Sequence, residues 1–69
     1  MTKLRNVREE KGLTIKEVSK KSNIPAKTLY HIETGKKGII ESRAILLANL
    51  FEQPVENLFF PTYYRARLE

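Results

Sequence analysis

Sixty-nine residues without a cysteine make one small domain, whose core neither disulfides nor a thiolate metal site can supplement. The longest apolar run, Ala44 to Ala48, is too short to span a bilayer, and the first twelve residues lack a signal peptide's apolar stretch, so a cytoplasmic protein with no membrane partner is expected. The net charge of +5 sits entirely in residues 11–37, which hold seven lysines against Glu17 and Glu33, and such a confined one-sign field suits a polyanion.

Thr2 is placed to cap a first helix over about residues 3–11, with Leu4 and Val7 on one face and Gly12 stopping it. Leu13 continues the core. Thr14 followed by Glu17 is a capping box, so a second helix starts at Ile15 and buries Ile15, Val18 and Ser22 at helical spacing. The small Ser19 suits a close helix crossing. Asn23 accepts the left-handed conformation that ends this helix. Pro25 pre-sets the backbone for a third helix over about residues 25–33 and disfavours helix at Ile24. Leu29 and Ile32 then point inward, with Ile24 closing the turn.

Residues 34–38, Thr-Gly-Lys-Lys-Gly, form a basic loop without the spacing of a phosphate-cradling P-loop, which excludes that mode of nucleotide binding. A fourth helix spans about 40–51 with Ala44, Leu47, Ala48 and Phe51 on one face. Leu46 and Leu50 make it more apolar than one buried stripe requires. Pro54 opens a short fifth helix over 55–59, and Pro61 ends it. No strand pattern stands out. The expected fold is all-α, a five-helix domain over 1–61 followed by a tail over 62–69, in which Leu68 and Glu69 carry no weight.

Two short helices, a tight turn and an outward second helix are what a helix-turn-helix DNA reader needs. The outward side of the third helix holds Ala26, Lys27, Tyr30 and His31, with Thr28 near its edge. Lys27 can donate to guanine or phosphate, His31 can meet a base edge, the Ala26 methyl can meet a thymine methyl, and Tyr30 can offer its hydroxyl. His31 is the single histidine and no carboxylate cluster accompanies it. Neither a metal site, a cofactor nor enzymatic activity is therefore expected.

The segments LRNVREEKGLT (4–14), Val18-Ser19, Ser22-Asn23-Ile24, Ile32-Glu33-Thr34-Gly35-Lys36 and LLANLFEQPVENLF (46–59) together resemble the phage-repressor/Cro-like helix-turn-helix family. The resemblance covers about residues 4–59 and implies a five-helix domain that binds operator-like DNA as a dimer and regulates transcription. It places base reading on Pro25, Ala26, Lys27, Tyr30 and His31. It places phosphate contact on Ile15, Thr28, Thr34, Lys36 and Lys37, and a supporting ion pair on Arg8 and Glu33. Ile15 stands where the family commonly has a phosphate-touching glutamine, Asn23 where it has glycine, Pro25 where it has serine, and Ile39-Ile40 where it has Pro-Ser.

The expected function is that of a sequence-specific duplex-DNA-binding regulator, a repressor, acting as a homodimer. The aromatics Phe59, Phe60, Tyr63 and Tyr64 either fold back as a lid or meet a second copy. Two alternatives share the fold. One is the antitoxin of a toxin pair, with the aromatic tail holding a protein partner. The other is a protein-interaction module that has lost DNA binding.

Overall fold

The first four helices are short because a residue of positive φ turns the chain after each of them, Gly12, Asn23, Gly35 and Glu52. The computed structural model describes residues 2–60 and 64–68. Among these, α1 runs Lys3–Glu10, α2 Ile15–Ser22, α3 Ala26–Glu33, α4 Glu41–Leu50 and α5 Val55–Leu58, followed by β1 Phe59–Phe60 and β2 Arg65–Ala66. No helix among the described residues is long and apolar enough to cross a membrane.

Thr2 has the extended backbone of a cap and accepts from the Arg5 amide at 3.4 Å. Gly12 ends the segment at φ 70°, a region that costs glycine nothing. The capping box of α2 is complete. The Thr14 amide donates to Glu17 Oε1 at 2.9 Å, and the Glu17 amide donates to Thr14 Oγ1 at 3.1 Å. Bonding to the Thr14 backbone, then to its side chain, holds the Glu17 carboxyl below the usual carboxylate range. Asn23 closes α2 at φ 61° and ψ 26°, its amide donating to the Ser19 carbonyl at 2.9 Å.

The turn is held by hydroxyls. Ser19 Oγ donates to the Ile24 carbonyl at 2.6 Å, and the Ile24 amide donates to Ser22 Oγ at 3.3 Å. Ser19 therefore does more than save space, because its hydroxyl satisfies a carbonyl the turn would leave unpaired. Pro25 is the cap of α3, not its first residue, and its ring offers no side-chain bond.

The core is one cluster. Leu4, Val18, Ile24, Leu29, Ile32, Ala44, Leu47, Ala48, Phe51, Leu58 and Phe59 are buried, while Ile15 is only half-buried against them. The helix at α4 is one residue shorter at each end than expected, with Ile40 as its cap. Gln53 N closes that helix by donating to the Ala48 carbonyl at 2.9 Å, with Glu52 at φ 57°.

The fold is mostly helical, and its departure from all-α lies at the C-terminal end. Phe59 does not extend α5. It is extended at φ −132° and ψ 148°, is fully buried, and pairs with Ala66 in an antiparallel two-stranded sheet in which Phe60 pairs with Arg65. Ala66 is buried in the core at 4% exposure. The Arg67 amide donates to the Leu58 carbonyl at 2.8 Å, and the Lys3 amide donates to the Arg67 carbonyl at 2.8 Å. Residues 64–68 are thus stitched to both α5 and the start of α1. Pro61, Thr62 and Tyr63 lie outside the described residues. Of the remaining aromatics, Phe59 serves as core, Tyr64 is half-buried, and Phe60 is 44% exposed with the Arg67 guanidinium 4.3 Å over its ring.

Candidate nucleic-acid interface

An eight-residue helix is about 12 Å long, enough to lay two turns in a groove. The back of α3 is Leu29, Ile32 and Glu33, all buried. Its front carries Pro25, Ala26, Lys27 and Tyr30, all exposed, with Tyr30 at 52%. Thr28 and His31 are half-buried at the edges of that face. His31 is less open than its helical position suggests because its ring packs edge-on against Tyr30, with centroids 5.8 Å apart and planes at 67°. The five residues expected to read bases therefore run along one face of α3 from its cap to its sixth residue, with His31 at the margin.

What fixes the angle of this helix is a buried ion pair. Arg8 Nε donates to Glu33 Oε2 at 2.6 Å and Nη2 donates to Oε1 at 3.2 Å, a two-pronged bond. Arg8 Nη1 donates in addition to the Leu13 carbonyl at 2.7 Å. Thr2 Oγ1 donates to the Glu33 carbonyl, so the last residue of α3 is held from α1 through its side chain and from the residue before α1 through its backbone. An α3 with a fixed back can present its front without rotating.

The residues expected at the DNA backbone fall into two groups. Thr28 and Lys37 line an open groove of about 390 Å³ together with Pro25, Ile39, Ile40 and Arg43. Sequence reasoning gave Arg43 no part in a site. It stands in the first turn of α4, three residues past the cap, and only the folding of the 34–40 loop brings it opposite Thr28. Lys36 and Lys37 are both exposed on that loop. Thr34 is exposed too, but its hydroxyl donates to the His31 carbonyl at 3.1 Å and its amide to the Tyr30 carbonyl at 3.0 Å. Both of its donors are engaged in ending α3, so a phosphate contact from Thr34 requires its hydroxyl to turn.

At the start of α2, Ile15 offers no polar side chain. The capping box uses the amides of Thr14 and Glu17, which leaves those of Ile15 and Lys16 in the first turn, with no carbonyl one turn back to bond. Such amides at a helix N-terminus are suited to an anion.

A family model described as Helix-turn-helix matches residues 4–58, from the first core residue of α1 to the last residue of α5. β1 and β2 lie beyond the matched residues. No curated relative and no solved structure matches the chain.

Proposed function

The chain belongs to the Cro/C1-type helix-turn-helix family, a family of DNA-binding regulatory domains, and from this we propose that it is a sequence-specific repressor of transcription acting on duplex DNA in the cytoplasm. In this mechanism α3 enters the major groove. Phosphate contacts from Lys36, Lys37 and Arg43, from Thr28, and from the Ile15 and Lys16 amides set the register. Ala26, Lys27, Tyr30 and His31 then meet base edges, with the Pro25 ring beside them. The observation that carries this assignment is the division of α3 into a locked back, Glu33 bonded twice by Arg8, and an open front with Lys27 and Tyr30. Arg43 enters the phosphate set because it shares a groove with Lys37 and Thr28.

Selection of bound sequences from random duplexes, followed by the salt dependence of binding to the winner, tests the proposal. A consensus with a steep salt slope supports it, and recovery of no preferred sequence would sink the sequence-specific part. Lys37→Ala is expected to weaken preferred and random duplexes alike, with the salt slope reduced by about one. A loss confined to the preferred site would instead make Lys37 a base reader.

The operator is proposed to hold two copies. Ile45 and Leu46 on α4 are each 42% exposed and Phe60 is 44% exposed, apolar area that a two-fold contact would cover. Two reading helices would then lie roughly 34 Å apart, one turn of B-DNA. Sedimentation showing only monomer at high concentration, with and without DNA, removes the dimer.

A further inference from the structure

The basic loop that carries Lys36 and Lys37 is held poorly by its own helices. The Gly35 amide donates to the Ile32 carbonyl at 3.1 Å and the Lys36 amide to the His31 carbonyl at 3.0 Å, both within the end of α3. From there to the start of α4, Ile39 packs against the core, and the hydrogen bonds that reach the loop among the described residues come from two consecutive residues of the C-terminal hairpin. Arg65 Nη1 donates to the Gly35 carbonyl at 3.3 Å. The Tyr64 carbonyl accepts from the Ile39 amide at 3.4 Å. The Tyr64 hydroxyl donates to Glu41 Oε2 at 2.8 Å. These bonds meet the loop at its beginning, near its end and at the first residue of α4.

The hairpin is anchored well enough to hold something. Ala66 is in the core, the Arg67 backbone bonds to Leu58 and Lys3, and Leu68 forms a bridge with Thr2. Tyr64 itself sits at φ 48°, an uncommon conformation for an aromatic residue, with its amide donating to the Phe60 carbonyl at 2.6 Å. A local conformation of that kind persists where surrounding contacts over-determine it.

We propose that Tyr64 and Arg65 are positioning residues for DNA binding: the hairpin is a strap that holds residues 35–41 so that Lys36, Lys37 and the first turn of α4 present one fixed surface to the phosphates. The strap's role rests on the DNA-binding function proposed above. Neither Tyr64 nor Glu41 need touch DNA for it. Without the strap the lysines keep their charge but lose their shared geometry, so each phosphate contact has to order the loop first.

Tyr64→Phe tests this without changing charge or ring packing, and Arg65→Gln tests the other bond. Amide hydrogen exchange is read in the DNA-free protein, and duplex affinity is read at fixed salt. In both variants, exchange of the Ile39 amide, the loop amide bonded to Tyr64, is expected to rise about tenfold while Leu29 and Leu47 keep their wild-type protection. Duplex affinity should fall roughly three- to tenfold, as for the loss of one ordering hydrogen bond. A hairpin that merely stabilises the fold would instead speed exchange at Leu29 and Leu47 along with the loop. Loss of affinity in Arg65→Gln alone would make Arg65 a direct phosphate contact and overturn the strap. So would unchanged loop exchange, or faster loop exchange at unchanged affinity. If the unaltered chain binds no duplex at low salt, the DNA-binding function itself fails and takes the strap's role with it, whereas a binding chain with unresponsive variants removes the strap alone.

Discussion

Glu33→Ala is expected to lower folding stability by about 3–5 kcal/mol, read as the shift in a urea unfolding midpoint. The side chains of Arg8 and Glu33 are 10% and 4% exposed, so removing the carboxylate leaves a guanidinium in the protein interior with Nε and Nη2 unpaired. Only the bond from Nη1 to Leu13 survives. A chain of this size has on the order of 3–10 kcal/mol in total, so the variant should be partly unfolded at room temperature. The charge left behind, more than the bond lost, sets that size. Arg8→Met combined with Glu33→Leu removes both charges and should cost far less than Glu33→Ala alone. Arg5–Glu9 is the internal contrast, since that pair is 3.4 Å long with side chains 41% and 48% exposed. Breaking it should cost under about 1 kcal/mol. A Glu33→Ala cost as small as the Arg5→Ala cost would show that the buried pair is not what holds α3.

The parts of the fold legible in the sequence are those in which one residue acts on its near neighbours. Thr14 and Glu17 bond across three residues, Asn23 sets its own φ, and Thr2 caps the helix that begins beside it. Each is visible because its effect needs no distant partner. Arg8 and Glu33 stand 25 residues apart, and no local pattern pairs them; that expectation came through family resemblance. β1 and β2 are two residues each, too short for any alternation to register, and Phe59 after Val55 and Leu58 reads naturally as one more helical position. What makes it a strand is its pairing with Ala66, a small residue that lies buried in the core. Arg43 was hidden for a related reason. Its sequence neighbours are those of an ordinary exposed arginine, and its place opposite Thr28 depends on the path of a loop held from the hairpin. The outward face of α3 was legible from helical period alone, except that period cannot show His31 tucked against Tyr30.

Lys27→Ala is the substitution expected to change what the protein recognises. Lys27 is the second residue of α3, exposed, and at the N-terminal end, which in the proposed docking meets the groove first. A lysine there can meet guanine O6 and N7, a contact worth about 1–3 kcal/mol of discrimination, or roughly 5- to 150-fold between the preferred and a mismatched site. Random duplex should lose only the general attraction of one charge, a few-fold at moderate salt. The measured quantity is therefore the ratio of the two affinities, before and after substitution, at one salt concentration. His31→Ala should shift the same ratio by less, because His31 is only partly exposed with its ring edge-on to Tyr30, and its removal also frees Tyr30. Lys37→Ala, on the loop instead of the reading face, should leave the ratio where it was. If Lys27→Ala weakened preferred and random DNA equally, Lys27 would join Lys37 among the proposed phosphate contacts. Specificity would then have to come from Ala26, Tyr30 and His31, or from the shape the operator takes when Arg43 and the strapped loop hold its backbone.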